Sequence, residues 1–123
     1  MTVCEDNIIK ARSLLFKSLA PRISSDVINL EGCFFKLVFT NGTILYLTYN
    51  NFSEYSYQYI YSYKQFDRER FDNYDKNWNV TTHPHHFHPR GVKEGKESPM
   101  TGEVDHDLPL LVDFLLKRLN KRR

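Results

Sequence analysis

The order of apolar and polar positions divides the chain into readable elements. From Asp6 to Ala20, Ile8, Ala11, Leu15 and Leu19 fall on one helical stripe, joined by Ile9 and Phe16. Lys10, Arg12 and Lys17 fall opposite, so the spacing predicts an amphipathic helix that Pro21 stops. The stretch RISSDVINLEG is short and weakly alternating, as a first strand would be. CFFKLVFT and TILYLTYN then flank Asn41-Gly42, a dipeptide that favours a two-residue type I′ hairpin. Phe35, Leu37 and Phe39 share a face with Leu45, Leu47 and Tyr49. The other face carries Phe34, Lys36 and Val38 with Ile44, Tyr46 and Thr48. Both faces are partly apolar, which places this hairpin centrally in an antiparallel sheet.

From Tyr55 to Tyr63, YSYQYIYSY puts a tyrosine at every odd position, and a period of two sends all five rings to one face. Each buried hydroxyl wants a partner, so that face is not expected to be a dry core. FDRERFDNYD, Phe66 to Asp75, continues as a further strand with Arg68, Arg70 and Asp72 on one side. The pattern then dissolves into loop through the histidines, Pro99 and Gly102. DHDLPLLVDFLLKRLNKRR closes the chain with an apolar stripe of Leu111, Phe114, Leu115 and Leu119, with Asp107 as candidate N-cap and Pro109 in the first turn. These elements predict one α+β domain over residues 1–123: a single antiparallel sheet of about five strands with N-terminal and C-terminal helices packed on it.

Composition changes this picture little. At 123 residues, 41% hydrophobic and 26% charged, the chain has the balance of a folded domain. No apolar run reaches the length of a membrane span, and the first residues carry no signal-peptide pattern. Cys4 and Cys33 sit in no metal spacing and read as free thiols in a reducing compartment, so a cytoplasmic location is expected, a disulfide being the lesser alternative. The net charge of +2 announces no polyanion partner. Cations do gather at the carboxy terminus and at Arg90, Lys93 and Lys96.

The candidate chemistry lies in HPHHFHPRG, residues His83 to Gly91. Three readings compete. Imidazoles suit zinc, copper, iron or nickel, yet no carboxylate or cysteine stands in a recognisable ligand spacing, so no metal site is expected. Histidine also suits proton transfer near neutral pH, and the adjacent Arg90 supplies charge for an anion. The third reading is a hydrogen-bonded polar loop. Four histidines in six residues favour function over that third reading. The tyrosines divide similarly: Tyr57, Tyr59 and Tyr61 either stack bases of single-stranded RNA or pack beneath a helix, and packing is the favoured reading. Arg68, Arg70 and Arg90 are either phosphate contacts or ion partners of nearby carboxylates.

Taken together, YSYQY, then RFDN at Arg70 to Asn73, then PHHFH at Pro84 to His88, followed by a leucine-rich last helix, resemble the TumE-type toxins of prokaryotic toxin–antitoxin pairs. The chain departs from that pattern at Tyr74-Asp75-Lys76-Asn77, where members carry a further histidine pair. The resemblance implies a growth inhibitor neutralised by a DNA-binding antitoxin, and small toxins of such pairs commonly attack RNA. An endoribonuclease without a metal or other cofactor is then the leading expectation, with His85, His86, His88 and Arg70 as catalytic candidates. His86 and His88 share parity in an extended segment and would converge on one phosphate. The alternatives are a non-catalytic metal- or nucleic-acid-binding domain and a protein that only docks its antitoxin. A homodimer stays open.

Overall fold

In a computed structural model, which describes residues 2–74 and 79–121, two helices lie on one face of a single antiparallel sheet. Helix α1 runs Val3–Leu19. It begins earlier than its apolar stripe because Thr2 and Glu5 form a reciprocal capping box that satisfies the first free N–H groups. Strands β1 (Ile23–Asn29), β2 (Phe34–Phe39), β3 (Ile44–Tyr49), β4 (Tyr55–Ile60), β5 (Arg68–Asp72), β6 (His86–His88) and β7 (Lys96–Glu97) follow. They lie in the sheet in chain order, each antiparallel to the next. Helix α2, Val104–Leu119, ends the fold. The α+β architecture matches the expectation, and the sheet has seven strands rather than five. The extra two, β6 and β7, are three and two residues long. Such strands are too short for an alternation to show in sequence.

The core forms between helices and sheet. Phe35, Leu37, Leu45 and Leu47 meet Ile8, Ala11, Leu15 and Leu19 of α1, while Tyr57, Tyr59 and Phe71 lie with Leu108, Leu111 and Leu115 of α2 in the same buried cluster. Phe114 packs edge-on against Tyr59, Phe71 and Phe87, which ties α2 to β4, β5 and β6. Truncating a ring in such a setting costs about 3–5 kcal/mol.

Several expectations are corrected here. The β2–β3 hairpin exists, but its loop is the three residues Thr40-Asn41-Gly42: Gly42 N–H bonds Phe39 C=O, and Phe39 N–H bonds Thr43 C=O. Gly42 has φ +87°, while Asn41 is not among the positive-φ residues, so this is a type I turn closed by a left-handed glycine and not type I′. Asn41 is used differently: its side-chain oxygen accepts from Thr43 N and Oγ1. Helix α2 starts at Val104 with Glu103 as N-cap, so Asp107 is inside the helix and fully buried. Cys4 and Cys33 are not free thiols but a disulfide, with Cα atoms 6.0 Å apart. Cys33 is in the left-handed region (φ 53°) at the turn before β2, which folds its side chain under the first turn of α1. The thiols therefore give no support to a reducing compartment. Among the described residues no helix is long and apolar enough to cross a membrane.

The tyrosine ladder is also inside. Tyr55, Tyr57 and Tyr59 are at most 2% exposed on the helix-covered face, Tyr61 is half-buried and Tyr63 is outside. The concern about their hydroxyls is met by a partner for each. Tyr55 pairs with His85 Nδ1 (3.0 Å), Tyr59 with Thr43 (2.8 Å), and Tyr57 donates to Asp107 Oδ2 (2.7 Å). Tyr61 donates to Glu69, which Arg118 grips with two bonds of 2.6 Å. Burial pushes the Tyr57 and Tyr61 phenols above their ordinary range, so they stay neutral donors. Tyr57 and Tyr59 are therefore closed to base stacking, because their faces are already packed.

Candidate functional site

Strand pairing assembles the site. Arg70 pairs with His88, and Asp72 with His86, across β5 and β6. A two-residue step along each strand returns to the same face, so all four side chains project from the face that the helices leave open. The opposite parity, Phe71 with Phe87, enters the core. His86 and His88 do converge as their shared parity implied, because the HFH segment is extended.

Their common neighbour is Asp72. One of its oxygens is 2.6 Å from His86 Nε2; the other contacts Arg70 Nε and lies 3.9 Å from His88 Nε2. The two imidazoles stand edge to face with centroids 4.7 Å apart. His86 Nδ1 lies 2.9 Å from Pro84 C=O and His88 Nδ1 3.0 Å from Lys93 C=O. A carbonyl can only accept, so each Nδ1 is the protonated nitrogen and each Nε2 is turned toward Asp72. Burial, helped by the Arg70 guanidinium, holds the His88 pKa below the usual histidine value. The side chains of Arg70 and His88 are 36% and 10% exposed, those of His86 and Asp72 1%. Access is thus from the Arg70–His88 side.

The other candidates fall elsewhere. His85 has the opposite parity; its ring stacks on Tyr55, and burial lowers its pKa. It is not brought to His86 and His88. Arg68 projects from the open face one pair from Arg70 and donates to Gln58. Arg90 pairs with Asp67 (2.7 Å) and lies over the Tyr61 ring, on the helix side. Asn73 braces the strand end instead of the site, bonding Tyr55 N and Ser53 C=O. Asp75, Lys76 and Asn77, where the family pattern has more histidine, are outside the described residues. Sequence reasoning missed Asp72 as the hub. Its signal was available: it shares parity with Arg70 and is separated from the histidines by one strand reversal.

One ligand atom each from Asp72, His86 and His88 lies within 4.8 Å of the others, so these three residues could also hold a metal ion. The contact of 2.6 Å is shorter than the roughly 3.3 Å between two ligands of one tetrahedral ion, and Arg70 already sits on the carboxylate. Loading an ion would require His86 and Asp72 to separate.

The model of the family described as toxin TumE matches residues 8–119. The chain belongs to the TumE toxin family. Comparison with curated proteins and with solved structures gives no match. The match covers both helices' apolar stripes and the whole sheet, including the Asp72–His86–His88 cluster. Membership makes this a toxin of a toxin–antitoxin pair, with an antitoxin as its partner.

Proposed function

We propose that the toxin acts on RNA as an endoribonuclease that needs no metal ion. The observation that carries this reading is the convergence of Arg70, His86 and His88 on the Asp72 carboxylate at the open face of the sheet. Cleavage by the neighbouring 2′-hydroxyl needs a base for that hydroxyl, a proton for the departing 5′-oxygen, and positive charge on the phosphate. His88 is the base: its pKa lies below the usual histidine value, and its side chain is more exposed than that of His86. Arg70 binds the scissile phosphate from the same side. Asp72 holds both His86 and Arg70 in place, and His86 supplies the proton to the leaving oxygen once entering RNA draws its Nε2 away from Asp72.

Growth inhibition and cleavage of RNA by purified protein test this. His88→Ala and His86→Ala are each expected to cost about 10²–10⁴-fold in rate, with fold and antitoxin binding retained. Arg70→Lys is expected to be damaging as well, because an ammonium cannot grip two phosphate oxygens. Loss with His88→Ala but not with His86→Ala would leave His86 as a buttress only. Unchanged cleavage in both folded variants would make the cluster structural. The second reading, a metal centre, rests on the Asp72–His86–His88 set; elemental analysis finding about one zinc or iron per chain, lost in a His86→Ala/His88→Ala protein, would favour it.

A further inference from the structure

The open face of the sheet carries more than the histidine site. Strand register aligns Lys36 with Tyr46, Tyr46 with Gln58, Gln58 with Arg70, and Arg70 with His88. With strands about 4.8 Å apart, this row crosses the sheet for roughly 19 Å and ends at the candidate base. Lys36, Tyr46, Gln58 and Arg70 are all part-exposed. Phe34 stacks on Tyr46, with centroids 5.5 Å apart and planes 14° from parallel. Arg68 adds a further cation beside Gln58.

The neighbouring row differs. It runs Phe34, Thr48, Ser56, Asp72, His86 and Glu97, and it holds both carboxylates found among the paired residues of this face. Tyr74 bonds Thr48, and Ser56, Asp72 and His86 are buried, so that row is partly covered. The Lys36–His88 row contains cations, an aromatic ring and an amide, and no acid.

We infer that Lys36, Tyr46, Gln58 and Arg70 form a track for single-stranded RNA that leads its backbone to Arg70 and His88. Lys36 and Arg70 meet phosphates, and Tyr46, supported by Phe34, stacks an unpaired base. A base can stack this way only when it is out of a duplex, which sets the substrate class as single-stranded RNA. Charge complementarity selects a polyanion over an acidic-poor protein surface, and the row is continuous with the site. This inference rests on the RNA-directed reading above.

The test uses full-length protein carrying His88→Ala, so that bound RNA is not cut, and a short unstructured fluorescent RNA. Affinity is followed by anisotropy across a salt series, with circular dichroism checking the fold. Tyr46→Ala is expected to weaken binding about 5- to 150-fold, the worth of one base–aromatic stack, while Tyr46→Phe stays near the reference. Lys36→Gln is expected to lower the slope of log affinity against log salt by about 0.7, the effect of one lost phosphate contact on a single strand. Lys17→Gln, exposed on α1, serves as a control that changes neither. If the reference binds RNA and the row variants match it in affinity and slope, the track is wrong while the RNA-directed reading survives. If the reference binds no RNA, that reading fails and the track with it. Row variants that lose antitoxin but keep RNA would make this face a protein-docking surface and overturn the inference.

Discussion

Two buried carboxylates, one on each face of the sheet, show how differently this fold treats charge. Asp107 on the helix side is saturated: it accepts from Tyr57 Oη, Thr101 N and Gly102 N at 2.7–2.9 Å, with His106 Nδ1 at 2.7 Å. Asp72 on the open side is as deeply buried, yet its neighbours are Arg70, His86 and His88, and its Oδ1 has no well-aligned hydrogen bond among the described residues. A carboxylate whose lone pairs are filled by backbone N–H groups is fixed in place and serves the fold. One surrounded by groups that can exchange protons or bind an anion is arranged for chemistry. The same contrast separates the aromatic rows. Tyr57 and Tyr59 have packed faces and bonded hydroxyls, whereas Tyr46 keeps part of its ring outside.

Substitution at the two acids should separate these roles most sharply. Asp72→Asn keeps the shape but removes the charge that holds Arg70 and His86, so RNA cleavage is expected to fall by about 10²-fold or more, measured on folded protein. Asp107→Ala strips the acceptor from Tyr57 Oη, which keeps only Tyr49 Oη, and from two backbone N–H groups, and a loss of about 3–5 kcal/mol is expected in denaturant unfolding. If Asp107→Ala left stability intact while Asp72→Asn unfolded the protein, the contrast between the faces would be inverted.

The disulfide gives the next largest effect. It closes a separation of 29 residues, and the chain-entropy model assigns such a loop about 3.6 kcal/mol. Cys4→Ser/Cys33→Ser is expected to lower the melting temperature while cleavage by the folded protein is unchanged, since Cys4 and Cys33 lie at α1 and the turn before β2 rather than at β5 and β6. Equal losses of activity and stability would instead link this staple to the site.

Acid should act through His88. Arg70, Asp72 and His86 face it, and burial holds its folded pKa below the unfolded value of about 6.5. Between the two pKa values the unfolded chain binds more protons, so stability is full above about pH 6.5 and falls as pH drops toward the folded pKa. Burial of His85 adds in the same direction. A His88→Gln protein is expected to show a shallower acid-side decline in unfolding free energy; an unchanged decline would assign it to other groups. Smallest of all should be Arg90→Gln. Its contact with Asp67 is half-exposed and screened by solvent, so unfolding free energy and RNA affinity are both expected to stay close to those of the parent.

How much of this was legible along the chain depended on distance in sequence. The helical stripes, the central hairpin and the shared parity of His86 and His88 follow from local periodicity, and each is present. The loop of that hairpin was misread because Asn-Gly suits type I′, while Thr43 drew the Asn41 side chain into a tighter local bond. The start of α2 was misread because Asp107 looks like a cap when its true partners, Tyr57 and the Thr101–Gly102 backbone, are invisible to spacing.

What the sequence by itself determined is which residues share a face, since a period of two or of 3.6 is a property of the backbone. Tertiary structure decided which face each helix covers. That choice sent Tyr55, Tyr57 and Tyr59 into the core and left Lys36, Tyr46, Arg70 and His88 on the open side. It also decided register, which set Asp72 against His86 and Arg70 against His88. Parity survives any even shift of a strand, so alternation cannot distinguish the register that builds this site from one that scatters it; tertiary contacts fix the difference, among them Phe71 and Phe87 against Phe114, Arg118 on Glu69 and Asn73 on Tyr55 N.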